Sequence, residues 1–260
     1  MKNNSTVILG CRGSMSSGGK SCTKYGGLTT SFAIKLDDQI VVIDAGSGIL
    51  KLAEYVEKEK NIPLLFTHAH LDHLMGFPMC PLIFRKDISF EIYSETTDIL
   101  SLVMRRPLWP VSAEELPAGI TGKKIESEME IGGIKLLSMD GNHPGGVKLF
   151  RLNGSKSIVV MTDCTILDEN YEAYAQFAKD CDLLLIDGQY SDEEWENFKN
   201  FGHNSYMFAS EFAKNCGAKA ARIVHHSPQR TDEQIDGAAA KLAAKYENIS
   251  FAFEGEEILL

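Results

Sequence analysis

No two of the six cysteines, at positions 11, 22, 80, 164, 181 and 216, form a C-x-x-C pair. That removes a zinc knuckle and a thioredoxin-like redox motif, and it leaves buried free thiols in a reducing compartment as the expectation. Long apolar runs are also lacking. The N-terminal MKNNSTVILGCRGS holds only Val7 to Leu9 as an uninterrupted apolar stretch, too short for a signal h-region or a membrane span. A cytoplasmic protein without a membrane partner is therefore expected. Basic charge is in deficit, with 26 Lys and Arg against 36 Asp and Glu and a formal net charge of −10. Neutralising a phosphate backbone needs clustered cations, so a small-molecule substrate is expected rather than nucleic acid. Internal repeats, low-complexity tracts and linker-like charge runs are absent too. With 44% hydrophobic and 24% charged residues, the 260-residue chain reads as one ordinary globular domain over 1–260. Its oligomeric state is open, a homodimer included.

Short β-type runs alternate with helical stretches from end to end. Residues 6–11, 30–36 and 39–44 read as strands, with Asp37-Asp38 as a hairpin turn, followed by an amphipathic helix over 48–58 and a strand over 64–67. Further strands are predicted at 89–93, 129–130, 134–139, 147–152, 157–161, 183–186, 222–225 and 249–253. Helices are predicted near 97–104 and over 169–179, 205–215 and 232–245. The Pro-rich stretch 107–119 reads as a loop whose Trp109 and Pro110 either border a pocket or simply pack on the surface. Two blocks of strands, each followed by helices, suit an α/β architecture of two sheets packed face to face with helices outside.

The chemistry concentrates in Thr67-His68-Ala69-His70-Leu71-Asp72-His73, where the apolar run Leu64-Leu65-Phe66 emerges into a loop. Three imidazoles and a carboxylate in six positions offer the N and O donors that Zn(II), Mn(II) or Fe(II) prefer. The other histidines each sit beside a predicted strand or helix: His143 in Gly141-Asn142-His143-Pro144, His203 in Gly202-His203-Asn204-Ser205, and His225-His226 in Val224-His225-His226-Ser227-Pro228. Asp163 ends the apolar run Val160-Met161-Thr162. Singly, such residues often only cap or hydrogen-bond locally. The glycines of 13–19 lack the spacing of a P-loop and suit a loop near the site.

The segment His68 to His73 resembles the H-x-H-x-D-H signature of the metallo-β-lactamase superfamily, and His143, Asp163 and His225 follow in the order of its later ligand motifs. The resemblance implies an αβ/βα four-layer sandwich of two mixed β-sheets flanked by helices. It also implies two divalent metal ions per chain, zinc first, with manganese or iron as alternatives. One metal would take His68, His70 and His143, the other Asp72, His73 and His225, with Asp163 bridging both and a hydroxide held between them. Asp72 would orient that nucleophile as a catalytic residue, and Asp44 and His226 would support the ligands from behind.

Leu9-Gly10-Cys11-Arg12-Gly13-Ser14, Tyr25-Gly26-Gly27, Ile43-Asp44-Ala45-Gly46 and Gly202-His203-Asn204-Ser205 are more similar to the phosphodiesterase branch, which includes RNase Z and the cyclic-phosphate diesterase of phosphonate breakdown. An aspartate at 163, where β-lactam-hydrolysing members carry Cys or Ser, points the same way. That resemblance implies a metal-dependent phosphodiesterase acting on a small or cyclic phosphodiester, with His203 as the catalytic acid or phosphate-orienting residue. Leu28 stands where the branch has Asn, and Asn204 where it has Ser. No basic, Gly-rich arm for tRNA is visible. A thioester, lactone or β-lactam hydrolase on the same scaffold, and a noncatalytic metal-binding protein, remain the alternatives.

Overall fold

The computed structural model of the chain describes residues 1–56 and 58–260. Strands β1 (Ser5–Gly10), β2 (Ser31–Leu36), β3 (Gln39–Ile43), β4 (Asn61–Leu65), β5 (Ser89–Ser94), β6 (Gly119–Lys124) and β14 (Glu257–Leu259) form one sheet in the order β14-β1-β2-β3-β4-β5-β6. Strands β7 (Glu128–Ile131), β8 (Ile134–Gly141), β9 (Val147–Asn153), β10 (Ser157–Met161), β11 (Leu183–Asp187), β12 (Ala221–Val224) and β13 (Ile249–Phe251) form the second, in the order β13-β12-β11-β10-β9-β8-β7. Each sheet is mixed. Antiparallel pairs occupy β14 to β3 and β7 to β10, and parallel pairs occupy β3 to β6 and β10 to β13.

The layering follows from strands that are apolar on both faces. Ile8, Phe32, Ile34, Val41 and Ile43 of the first sheet pack against Phe150, Leu152, Ile158, Val160 and Leu185 of the second, forming the core between the sheets. Their alternates Val7, Leu9, Ala33 and Val42 face outward under short 3-10 turns and loops. Val159, Met161, Leu184 and Ile186 face outward under α2 (Asp168–Ala178), α4 (Tyr206–Asn215) and α5 (Asp232–Ala243). Two sheets flanked by helices are thus the observed arrangement.

The expected helix over 48–58 is a 3-10 segment, Ser47–Glu54, and residue 57 of that expectation lies outside the described residues. Its start is fixed by tertiary contacts: Ser47 N donates to Thr29 Oγ1 and Gly48 N to Thr29 O. The helix expected near 97–104 is likewise a short 3-10 turn, Ile99–Leu102. Strand β6 follows directly on the expected loop and carries the unpromising sequence GITGKK; pairing in parallel with β5 makes it a strand. Trp109 packs against the outer core of the first sheet, and Pro110 is exposed. The turn at Asp37-Asp38 has φ of 49° and 67°, the positive values that a two-residue hairpin demands.

The parallel strands of both sheets deliver their carboxyl ends to one rim, where ligands bind in α/β folds. Asp44 follows β3, the His68–His73 loop follows β4, Asp163 follows β10, Asp187 ends β11 and His225 follows β12. Among the described residues no helix is long and apolar enough to cross a membrane.

Candidate metal centre

Three of these residues leave their strands in the left-handed backbone region. Asp44, Asp163 and His225 have φ of 57°, 54° and 61°. A non-glycine residue there costs on the order of 1 kcal/mol, and the abrupt turn aims each side chain into the cleft between the sheets. The loop after β4 turns as sharply, entering the one-turn helix α1 (Leu71–Leu74), which carries Asp72 and His73.

Asp163 is the hub. One of its oxygens lies 3.0 Å from His225 Nε2 and 4.0 Å from both His68 Nε2 and His143 Nε2, while the other lies 3.3 Å from His73 Nε2. Asp72 Oδ2 is 3.3 Å from His73 Nε2 and 3.3 Å from His225 Nε2. His70 Nδ1 lies 3.1 Å from His143 Nε2 at the exposed mouth. The donor atoms fall into a group of His68, His70 and His143, a group of Asp72, His73, Asp163 and His225, and a third that overlaps the second and consists of Asp163, Asp187, His203 and His225.

Behind each ring, a second contact fixes its orientation. His73 Nδ1 donates to Asp44 Oδ2 at 2.8 Å, and Thr67 N and Oγ1 donate to the same carboxylate at 2.8 and 2.7 Å. The Thr67 hydroxyl, its proton so used, accepts from His68 Nδ1 at 3.0 Å. His143 Nδ1 donates to the Gly202 carbonyl at 3.2 Å, and His225 Nδ1 to Gln189 Oε1 at 2.8 Å. Four Nε2 atoms are thereby turned inward with their lone pairs available, as ligand imidazoles require. His68 Nε2 and His73 Nε2 are buried with no hydrogen-bond partner. Inward lone pairs and two buried carboxylates cannot satisfy one another without added positive charge, so the residues fit divalent metal ions.

Residues 39–226 match the family model described as the Beta-lactamase superfamily domain, well over half of the chain. The chain belongs to the beta-lactamase superfamily. It is a metallo-β-lactamase-fold hydrolase. A curated relative, the ribonuclease Z of Streptococcus pyogenes serotype M1, is 22% identical over 301 residues, covering 89% of this chain and 94% of its own. The Bacillus subtilis metallo-beta-lactamase fold protein YhfI is structurally similar, with a TM-score of 0.74 at 18% identity over 98% of both chains. A diphosphatase from the PhnP family gives 0.73 at 18% identity, covering 98% of this chain and 97% of its own. Human tRNase Z, short form, gives 0.69 at 16% identity over 98% of both.

For a superfamily centre of this kind the proton distribution is informative. Burial lowers His68, and the charge of His73 adds to it, bringing His68 down to about 2. Burial also opposes protonation of His225, but Asp163 outweighs it and lifts His225 to about 10. Burial raises Asp163, yet the charges of His225 and His73 hold it well below the carboxylate range. Metal-free, the cluster carries protons on His73 and His225 at neutral pH, in place of the cations the carboxylates need.

The expectation that His226 supports the ligands is corrected. Its Nε2 donates to the Ala252 carbonyl at 2.8 Å, and its ring packs edge-on to Tyr25 and tilted against Phe251, away from the cluster. Gln189 is the partner of His225 instead. Asp187, not expected from the sequence, is fully buried; its Oδ2 accepts from His203 Nδ1 at 2.7 Å and lies 3.3 Å from His225 Nδ1. It had the same signal as Asp163, a carboxylate ending an apolar strand. Ser14 N, on the glycine-containing loop, donates to Asp72 Oδ2 at 2.8 Å, which places that loop at the site.

Proposed function

We propose that this hydrolase cleaves a small or cyclic phosphodiester with two divalent metals, zinc first, held by His68, His70 and His143 and by Asp72, His73 and His225, with Asp163 between them. The observation that carries the reading is His203. Its ring stacks on His225, centroids 4.8 Å apart, and its Nδ1 is held by Asp187, so Nε2 is the atom free to act beside the centre. An imidazole oriented by a buried carboxylate next to a metal cluster is the arrangement of a general acid for an alkoxide leaving group. The names of ribonuclease Z, the diphosphatase and tRNase Z support phosphate-ester chemistry. A net charge of −10 supports a small substrate over a polynucleotide.

When bound, the two ions supply a water of lowered pKa and neutralise charge developing on the phosphoryl oxygens. The chain does the rest. Ser14 N fixes Asp72 through Oδ2, leaving Oδ1 to accept the proton of the attacking water. His203 Nε2 gives its proton to the departing oxygen, and Asp187 stabilises the ring's Nδ1–H throughout. Thr67 and Asp44 keep His68 and His73 from rotating as charge shifts.

The test compares parent and His203→Ala, with equal metal content, on an aryl and an alkyl phosphodiester. On the alkyl ester the variant should lose on the order of 10²–10⁴ in kcat, and on p-nitrophenyl esters less, since p-nitrophenolate departs without a proton. The same loss on both esters makes His203 a phosphate-orienting group. Rapid turnover of a thioester or lactone with none of either phosphodiester overturns the reading.

A further inference from the structure

We infer that Asn204 is a positioning residue that holds His203 in register with the metal centre; for what His203 does there, the inference rests on the phosphodiesterase reading. Asn204 is 1% exposed and follows His203 on the loop that enters α4. Its carboxamide reaches across to the loop that carries Asp163. Nδ2 donates to the Cys164 carbonyl at 2.7 Å, and Oδ1 accepts from Ile166 N at 2.9 Å. The main chain of Asn204 is tied as well, its N donating to Asp187 Oδ1 at 3.2 Å and its carbonyl accepting from Tyr190 N at 3.2 Å.

These contacts close a circuit. Asp187 Oδ2, which accepts from His203 Nδ1, also accepts from Asp163 N at 3.2 Å. The segments bearing Asp163 and His203 are thus joined twice, by the Asp187 carboxylate and by the Asn204 carboxamide. Thr165, inside the stretch that the carboxamide spans, donates its N to the Asn142 carbonyl at 2.9 Å, beside His143, and its hydroxyl to the His203 carbonyl at 3.4 Å. Among the described residues, the His203 ring has a single hydrogen bond, to Asp187, so its place is set by the backbone that carries it. A displacement of about 1 Å can cost on the order of 10²-fold in rate, which makes the anchoring of that backbone matter to turnover. A carboxamide carries its donor and acceptor on separate prongs. A serine hydroxyl, the group the phosphodiesterase branch has at this place, ends one bond nearer the backbone and cannot span Cys164 O and Ile166 N together.

Zinc-reconstituted parent, Asn204→Ala, Asn204→Ser, His203→Ala and the double variant His203→Ala/Asn204→Ala would be compared at equal metal content on cyclic AMP, whose leaving group is a ribose hydroxyl. Asn204→Ala should lower kcat by about 10–100-fold with little change in KM, and Asn204→Ser should lower it less. In the His203→Ala background, Asn204→Ala should cost no more than about twofold, because its effect passes through the ring already removed. A second readout needs no turnover. The His203 Nδ1 proton, shielded by Asp187 and identified in the NMR spectrum by its absence from His203→Ala, should exchange with solvent at least about tenfold faster in Asn204→Ala and Asn204→Ser, as expected when local opening becomes easier. The His73 Nδ1 proton, held by Asp44 on the other sheet, should keep its parent rate, which a general loosening of the fold would not allow. The Ser variant carries both readouts if Asn204→Ala does not fold. Losses that multiply in the double variant, or a His203 proton that exchanges at the parent rate in both Asn204 variants, overturn the inference. If the parent hydrolyses neither cyclic AMP nor bis-p-nitrophenyl phosphate, the phosphodiesterase reading fails, and the proton exchange alone decides whether Asn204 positions His203.

Discussion

Asp163 faces four imidazole nitrogens, and no other side chain of the centre touches both ligand groups so closely. Its removal should therefore cost both metals. Elemental analysis should find about two divalent ions per chain in the parent and a large deficit in Asp163→Ala, with hydrolysis abolished. Asp44→Ala leaves every ligand in place and releases only His73 Nδ1 and Thr67, so its loss of affinity should stay within the roughly 10–100-fold typical of groups behind the ligands. Equal metal content in Asp163→Ala and the parent would contradict the bridging role. The ligand candidates at this scale were legible because four donors crowd six positions and the remainder close apolar strands. Gln189 was not, since an amide after a strand carries no periodic or chemical signal until His225 is seen to lean on it. His226 misled because the backbone turns at His225, whose φ is 61°, and carries the next ring away from the cluster toward Tyr25 and Phe251.

At the level of elements, the loops of the rim are tighter than the strands that feed them. Gly202 shows how tight: its φ is +91°, and a Cβ there would lie 1.9 Å from His143 Nδ1. Gly202→Ala should push the His143 ring off its carbonyl partner and weaken the metal group it shares with His68 and His70, while far-ultraviolet circular dichroism stays that of the parent. Unchanged metal affinity would show that the loop can yield. The same tightness explains what could be read from the sequence. Strands with apolar residues on both faces, such as 157–161, coincide with their observed bounds, because burial alone dictates them. The 3-10 segment Ser47–Glu54, the polar strand β6 and the acidic helix α3 (Asp192–Phe198) could not be read that way. Each owes its form to partners far away in the chain: Thr29 for the first, β5 for the second, and for the third the Trp195 Nε1 donation to the His203 carbonyl and the contact of Ser205 with Asp192.

Across the whole molecule the donors divide by sheet. His68, His70, Asp72 and His73 hang from the first, and His143, Asp163 and His225 from the second. At the opposite end the two sheets are joined by the β2–β3 turn, where Asp37 accepts from Ser155 N at 2.6 Å across the gap. The sandwich is thus shut like a book, with a spine at Asp37 and Ser155 and a clasp at the donor cluster, where the proposed metals would sit. Chelation should open the clasp and leave the spine closed, because a bridging ion also closes chain loops such as the one between His70 and His143 and stabilises only the folded state. Native-state hydrogen exchange with and without chelator reads this directly. Amides at the carboxyl ends of β3, β4, β10 and β12 should lose protection together, while those beside Asp37 and Ser155 should change little. A uniform loss over both sheets would mean that the sheets part as one unit, and the metals would then be holding the fold rather than one edge of it.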